Sequence, residues 1–121
     1  MVKVVELIKM IEIEIFRSDK GIFGYQVSGH AMGGNRSEKY DLVCCAVSVL
    51  VLTITNGLTD VLKVTPETLE VGETGGLIRC ILPRELETLK LSQVSALLET
   101  LVMGLEEIAR EYPQYVRFKQ D

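Results

Sequence analysis

DLVCCAVSVLVLTITNGL, residues 41–58, is the stretch on which the fold turns. It is rich in valine and isoleucine, whose branching at Cβ favours strands. Length argues the other way. The run starting at Leu42 meets no turn signal before Asn56-Gly57 and carries on to about Leu62, well beyond the roughly 3–10 residues of ordinary strands. A mostly buried helix is therefore predicted over residues 42–62, bent or interrupted at Gly57, with Asp41 as its N-cap.

On the N-terminal side, Ile11, Ile13 and Ile15 alternate with Glu12 and Glu14, a period of two that marks a strand with one buried face. SDKG (18–21) is turn chemistry, and IFGYQVSG returns as the second strand of a hairpin ending at His30. AMGGNRSEKY (31–40), with two glycines and mostly polar residues, is a loop. On the C-terminal side, two further strands are expected at about residues 63–71 and 77–82, joined by a glycine turn. Val94, Leu97, Leu98, Leu101, Leu105 and Ile108 then recur at helical spacing in a second, amphipathic helix that stops before Pro113. YVRFK (115–119) is a closing strand. The order ββα-ββα-β implies an α+β fold, with a largely antiparallel sheet and two helices packed on one face.

At 121 residues, 1–121 is one domain, in which residues 1–9 read as an N-terminal extension ahead of a cleaner strand pattern from Met10. The longest apolar stretch, residues 42–52, is interrupted by Ser48 and falls short of the ~20 residues of a spanning helix, so no membrane partner is expected. No secretory signal is visible. A net charge of −4 argues against direct nucleic-acid binding, whose affinity comes from Lys and Arg on phosphates. Three cysteines, two of them adjacent, do not form a disulfide framework, and reduced thiols in a cytoplasm are expected. One histidine and three cysteines at no ligand spacing imply no metal, and no phosphate loop or other cofactor motif is present.

The chemistry-bearing residues gather around the 31–40 loop. His30, the chain's one histidine, follows Ser28-Gly29 at a strand end. With Asp41 as N-cap, Cys44 takes the third helical position, where unpaired amides and the helix dipole favour a thiolate. Ser48, four residues on, shares the face of Cys44 and Thr55, the more polar one. Cys45 is turned by about 100° onto the apolar face of Val49 and Leu52 and reads as a core residue. Cys80, in LIRCIL, reads as packing. Asp41 caps the helix, with orientation of His30 a possible second use.

SGHA, a glycine-containing loop and then DLVCCAVSVL together resemble the GHA…G-x-D-I-V-C-A-A-V-S signature of the bacterial ribosomal-processing cysteine protease family, Prp. The likeness runs on through NGL (56–58) and LETLVMGLEEIAREYPQYV. Tyr40, Cys45 and a slightly longer loop depart from the family pattern. The resemblance implies a small cytoplasmic homodimer that removes a short N-terminal extension from ribosomal large-subunit protein twenty-seven, a ribosomal protein precursor. It implies His30 as catalytic base, Cys44 as nucleophile, and Asp41 and Ser48 as supporting residues. The competing reading is a non-catalytic ribosome-associated peptide-binding module in which His30 and Cys44 shape a groove.

Overall fold

The isoleucine–glutamate alternation forms the middle of a sheet. The computed structural model describes residues 10–29, 38–72 and 76–119; the expected extension, residues 1–9, lies outside them. Within the described residues, β1 (Ile11–Ser18) and β2 (Gly21–Ser28) make an antiparallel hairpin. β3 (Thr68–Val71) and β4 (Leu77–Ile81) make another, β4 docks on β2, and β5 (Val116–Phe118) runs parallel to β1. The strand order is β3-β4-β2-β1-β5, and only the β1–β5 pairing is parallel. The strand expected from residue 63 begins only at Thr68. Lys63 takes a left-handed φ of 60°, and Pro66 has no N–H to give a ladder.

One face of this sheet is dry. Ile11 and Ile13, Tyr25 and Val27, Ile78 and Cys80, and Val116 all point into a single buried cluster. A bulge between Phe16 and Arg17 puts Phe23 as the extra residue opposite them. The bulge reverses the alternation, so Ile22 turns inward while Phe23 joins Phe16 outside. Arg79 and Arg84 lie over these two rings, and Arg117 pairs with Glu12 on the same outer surface.

Both helices supply the other half of the core. α1 (Glu38–Asn56) passes into a π-helical turn, Gly57–Val61, close to the predicted interruption. Val43, Val47, Val51, Ile54 and Leu58 form its buried stripe. A β-branched residue costs a helix less than about 0.7 kcal/mol relative to alanine, whereas burying one contributes about 1.5–3 kcal/mol. Packing therefore overrides the strand preference of this segment. Glu38–Val61 is long and apolar enough to cross a bilayer, more so than the 42–52 stretch suggested. Its most apolar window is 39% buried rather than mostly buried as expected: one stripe packs into the core while the other side stays open. α2 (Thr88–Glu111) buries Val94, Leu98, Leu101, Val102 and Leu105, with Leu97 and Ile108 partly covered. It meets α1 closely at Gly104, where a Cβ would lie 2.8 Å from a Leu50 methyl. Lys90 donates to the carbonyl of Leu62, tying the end of the π turn to the start of α2.

One buried polar chain links the layers. Thr55 Oγ1 donates to the Val51 carbonyl at 2.7 Å, so its single proton is committed and Tyr25 is the donor in their 2.6 Å contact. Cys80 is the cross-strand neighbour of Tyr25 and is buried beside it. Burial pushes both the phenol and the Cys80 thiol above their ordinary values. The folded chain thus holds protons that the unfolded chain releases above about 8.5 for cysteine and about 10 for tyrosine. Stability is fully present below those values and is lost as pH rises past them. We expect Tm to fall between pH 8 and 10.5, and to fall less in a Tyr25→Phe/Cys80→Val variant than in the wild type. Equal slopes in calorimetric scans would show that this pair does not govern alkaline unfolding.

Candidate active site

The end of β2 is held from three sides at Gly29. Its φ of +85° is a left-handed conformation that glycine adopts without strain. Its N–H donates to the Gly76 carbonyl at 2.9 Å. Any Cβ there would lie 2.3 Å from the carbonyl oxygen of Met10, a distance no side chain tolerates. On the third side, the Tyr40 hydroxyl donates to the Gly29 carbonyl at 2.7 Å. That carbonyl belongs to the peptide group joining Gly29 to His30. His30 itself and the 31–37 part of the expected loop lie outside the described residues.

Tyr40 reaches Gly29 because α1 is already helical at Glu38. This corrects the expected start: Asp41 is an interior residue of α1 and not its N-cap. The ring of Tyr40 is 1% exposed and packs edge-on against Tyr115 at 5.6 Å, so holding the earlier turn in helix buries an aromatic side chain. Cys44 is consequently at least the seventh helical residue, and its N–H falls inside the i→i−4 ladder. The unpaired amides expected around its sulfur are not there.

Asp41, Cys44 and Ser48, at i, i+3 and i+7, run along one side of α1. Cys44 is fully buried, Ser48 is half-buried, and one carboxylate oxygen of Asp41 is enclosed. None of Tyr40, Asp41, Cys44 and Ser48 lacks an interaction partner. The rotation of α1 reverses the expected roles of its two faces. Cys44 and Thr55 point into the core, while Cys45, Val49 and Leu52, expected to be inside, are exposed. A helix apolar nearly all round carries little rotational signal, and the satisfied Tyr25–Thr55 bond lets the more polar side go in. Cys80 is buried as expected, with a thiol that burial keeps protonated. Among the described residues, no group of three or more His, Cys, Asp or Glu side chains could hold a metal ion.

The model of the family described as Cysteine protease Prp matches residues 10–117. The chain belongs to the Prp family. Its members include the ribosomal processing cysteine protease Prp of Bacillus subtilis (strain 168), 32% identical over 109 residues, spanning 89% of this chain and 95% of that protein. SMU.848 from Streptococcus mutans has the same fold, with a TM-score of 0.79 at 28% identity over 92% of this chain and 93% of that one. The essential ribosomal processing protease Prp from S. aureus, solved with a substrate peptide, superposes with a TM-score of 0.77. It covers 93% of this chain and 100% of its own at 19% identity, so that likeness is one of fold. The Prp architecture, two helices against a five-stranded, mostly antiparallel sheet, is the one expected from the sequence.

Sequence reasoning marked Tyr40 as a departure from the family pattern and missed the contact it makes at this end of the chain's fold. Tyr40 stands four residues before Cys44, the spacing of one helical turn. Its acceptor, eleven residues back across the loop, leaves no trace in the pattern. Gly29→Ala tests how tightly this end is built. Ala at a left-handed φ costs about 1–2 kcal/mol before any overlap, and the Met10 carbonyl adds to that. We expect a Tm at least several degrees lower by thermal melt, against a neutral result if the strand end relaxes freely.

Proposed function

We propose that this protein is a cytoplasmic cysteine endopeptidase in which Cys44 is the nucleophile and His30 its base. Its proposed substrate is the precursor of ribosomal large-subunit protein twenty-seven, from which it removes a short N-terminal extension. Membership of a family of ribosomal processing cysteine proteases supports the reaction class. The observation that carries the residue assignment is the 2.7 Å bond from Tyr40 to the peptide group that leads into His30. Tyr40 and Cys44 are neighbours one turn apart, with Cβ atoms about 5–6 Å from each other. The chain therefore leaves β2 at Gly29 beside the turn of α1 that bears the sulfur, and His30 is the next residue.

In this mechanism His30 takes the Cys44 proton and the thiolate attacks the scissile carbonyl. The imidazolium then protonates the departing amine, and water hydrolyses the thioester with His30 as base. Asp41 and Ser48, on the same side of α1, hold the pair in register. Because Cys44 is fully buried in the free chain, a peptide reaches it only once neighbouring structure has moved. The same burial favours the second reading, a non-catalytic ribosome-associated peptide-binding module, since buried thiols commonly serve as small packing groups. Iodoacetamide labelling of Cys44 against pH separates the two. An inflection below pH ~7 marks a catalytic thiolate, and one near ~8.5 marks the binding module.

The family resemblance also leads us to propose a homodimer. Leu42, Cys45, Val49 and Leu52 form an exposed, uncharged stripe along α1, with Leu42 70% and Val49 59% exposed. A second copy of that stripe is a fitting cover.

Incubated with the extended precursor, Cys44→Ala should lose cleavage by at least about a thousand-fold, and His30→Ala by about a hundred-fold or more. Cys45→Ala should cleave like the wild type. A Cys44→Ala protein that still cleaves removes the mechanism. In light scattering coupled to size exclusion, Val49→Glu should elute as a monomer and wild type as a dimer; a monomeric wild type refutes the dimer.

A further inference from the structure

We propose that Tyr40 is a positioning residue for the His30–Cys44 pair. It acts through the Gly29–His30 peptide group and does not touch substrate. This rests on the protease reading above and adds to it a residue outside the reacting groups.

The Gly29–His30 peptide is the last backbone unit before the proposed base. β4 fixes its upstream side through the Gly29 N–H to Gly76 bond, and Tyr40 fixes its carbonyl. The donor is itself held. Its ring is 1% exposed, and the Tyr115 ring meets it edge-on at an interplanar angle of 69°. Tyr115 is tethered in turn, its carbonyl accepting the N–H of Ile11 at 2.8 Å. The bond therefore spans the sheet end that precedes His30 in the chain and the helix that carries Cys44. Breaking it leaves both elements folded while freeing the Gly29 carbonyl, one covalent bond before the proposed base. Loss of a catalytic orientation is felt in turnover more than in binding.

The test is Tyr40→Phe, which keeps the ring and removes only the hydroxyl, measured on the extended precursor of protein twenty-seven. Val94→Ala serves as a control that destabilises the buried face of α2 without touching Tyr40, Gly29 or α1's polar contacts. For Tyr40→Phe we expect kcat to fall about ten-fold with KM nearly constant, and the pH inflection of Cys44 alkylation to move towards that of an ordinary thiol. Val94→Ala should lower Tm while leaving kcat and the labelling profile in place. If Tyr40→Phe matches wild type in kcat and in labelling while Cys44→Ala is inactive, the positioning role is overturned and the protease reading stands. If kcat falls in Val94→Ala as much as in Tyr40→Phe at equal loss of Tm, the positioning role is overturned too. If Cys44→Ala cleaves at the wild-type rate, the protease reading fails and the proposal fails with it.

Discussion

The structure depends on the seating of one helix against one sheet face. Val43, Val47, Val51, Ile54 and Leu58 of α1 fill the space above Ile13, Tyr25, Val27, Ile78 and Cys80. A single hydrogen bond from Tyr25 to Thr55 fixes the rotation of the helix within that layer. Apolar packing by itself would accept α1 at several rotations, because its other side offers Leu42, Val49 and Leu52. A buried hydroxyl without a partner costs about 1–3 kcal/mol, and the observed rotation places Thr55 Oγ1 where it accepts the Tyr25 proton. A polar contact thus chooses among dry arrangements of similar energy. From that choice follows the placement of Cys44 under the loop end of the sheet.

The layers of this fold were legible because they rest on periodicity. Ile11, Ile13 and Ile15 announced a half-buried strand, and Val94 to Ile108 announced an amphipathic helix. The length of the 41–58 segment outweighed its valines. What could not be read was orientation about the axis of α1, since nearly every side of it is apolar, and so the exposures of Cys45 and Val49 came out reversed. The helix start was misjudged for a related reason. Asp41 has the chemistry of a cap, but the energetic case for an earlier start lies in the contact of Tyr40 with Tyr115, seventy-five positions away.

The sequence named a candidate set, His30 with Cys44, Asp41 and Ser48, and misread the environment of its thiol. A histidine, a loop and a cysteine in an apolar run suggested a thiol at a helix terminus, where free amides gather. The structure puts that thiol well within the helix and fully buried. On the proposed assignment, a thiolate at Cys44 cannot draw on free amides at a helix end and depends on its local surroundings. The strand end nearest that turn is tightly built, with Gly29 crowded by Met10, Gly76 and Tyr40.

The parallel β1–β5 pairing has a consequence for the timing of folding. It joins Ile11 to Val116, among the most distant partners in sequence that the sheet contains. A chain emerging from a ribosome can form the β1–β2 hairpin early, yet the edge beside β1 stays open until residues 115–118 arrive. Tyr115 comes with them, and until then the ring of Tyr40 has nothing to lean on. A partly made copy therefore holds α1 without that aromatic support until the strand beside β1 has been added.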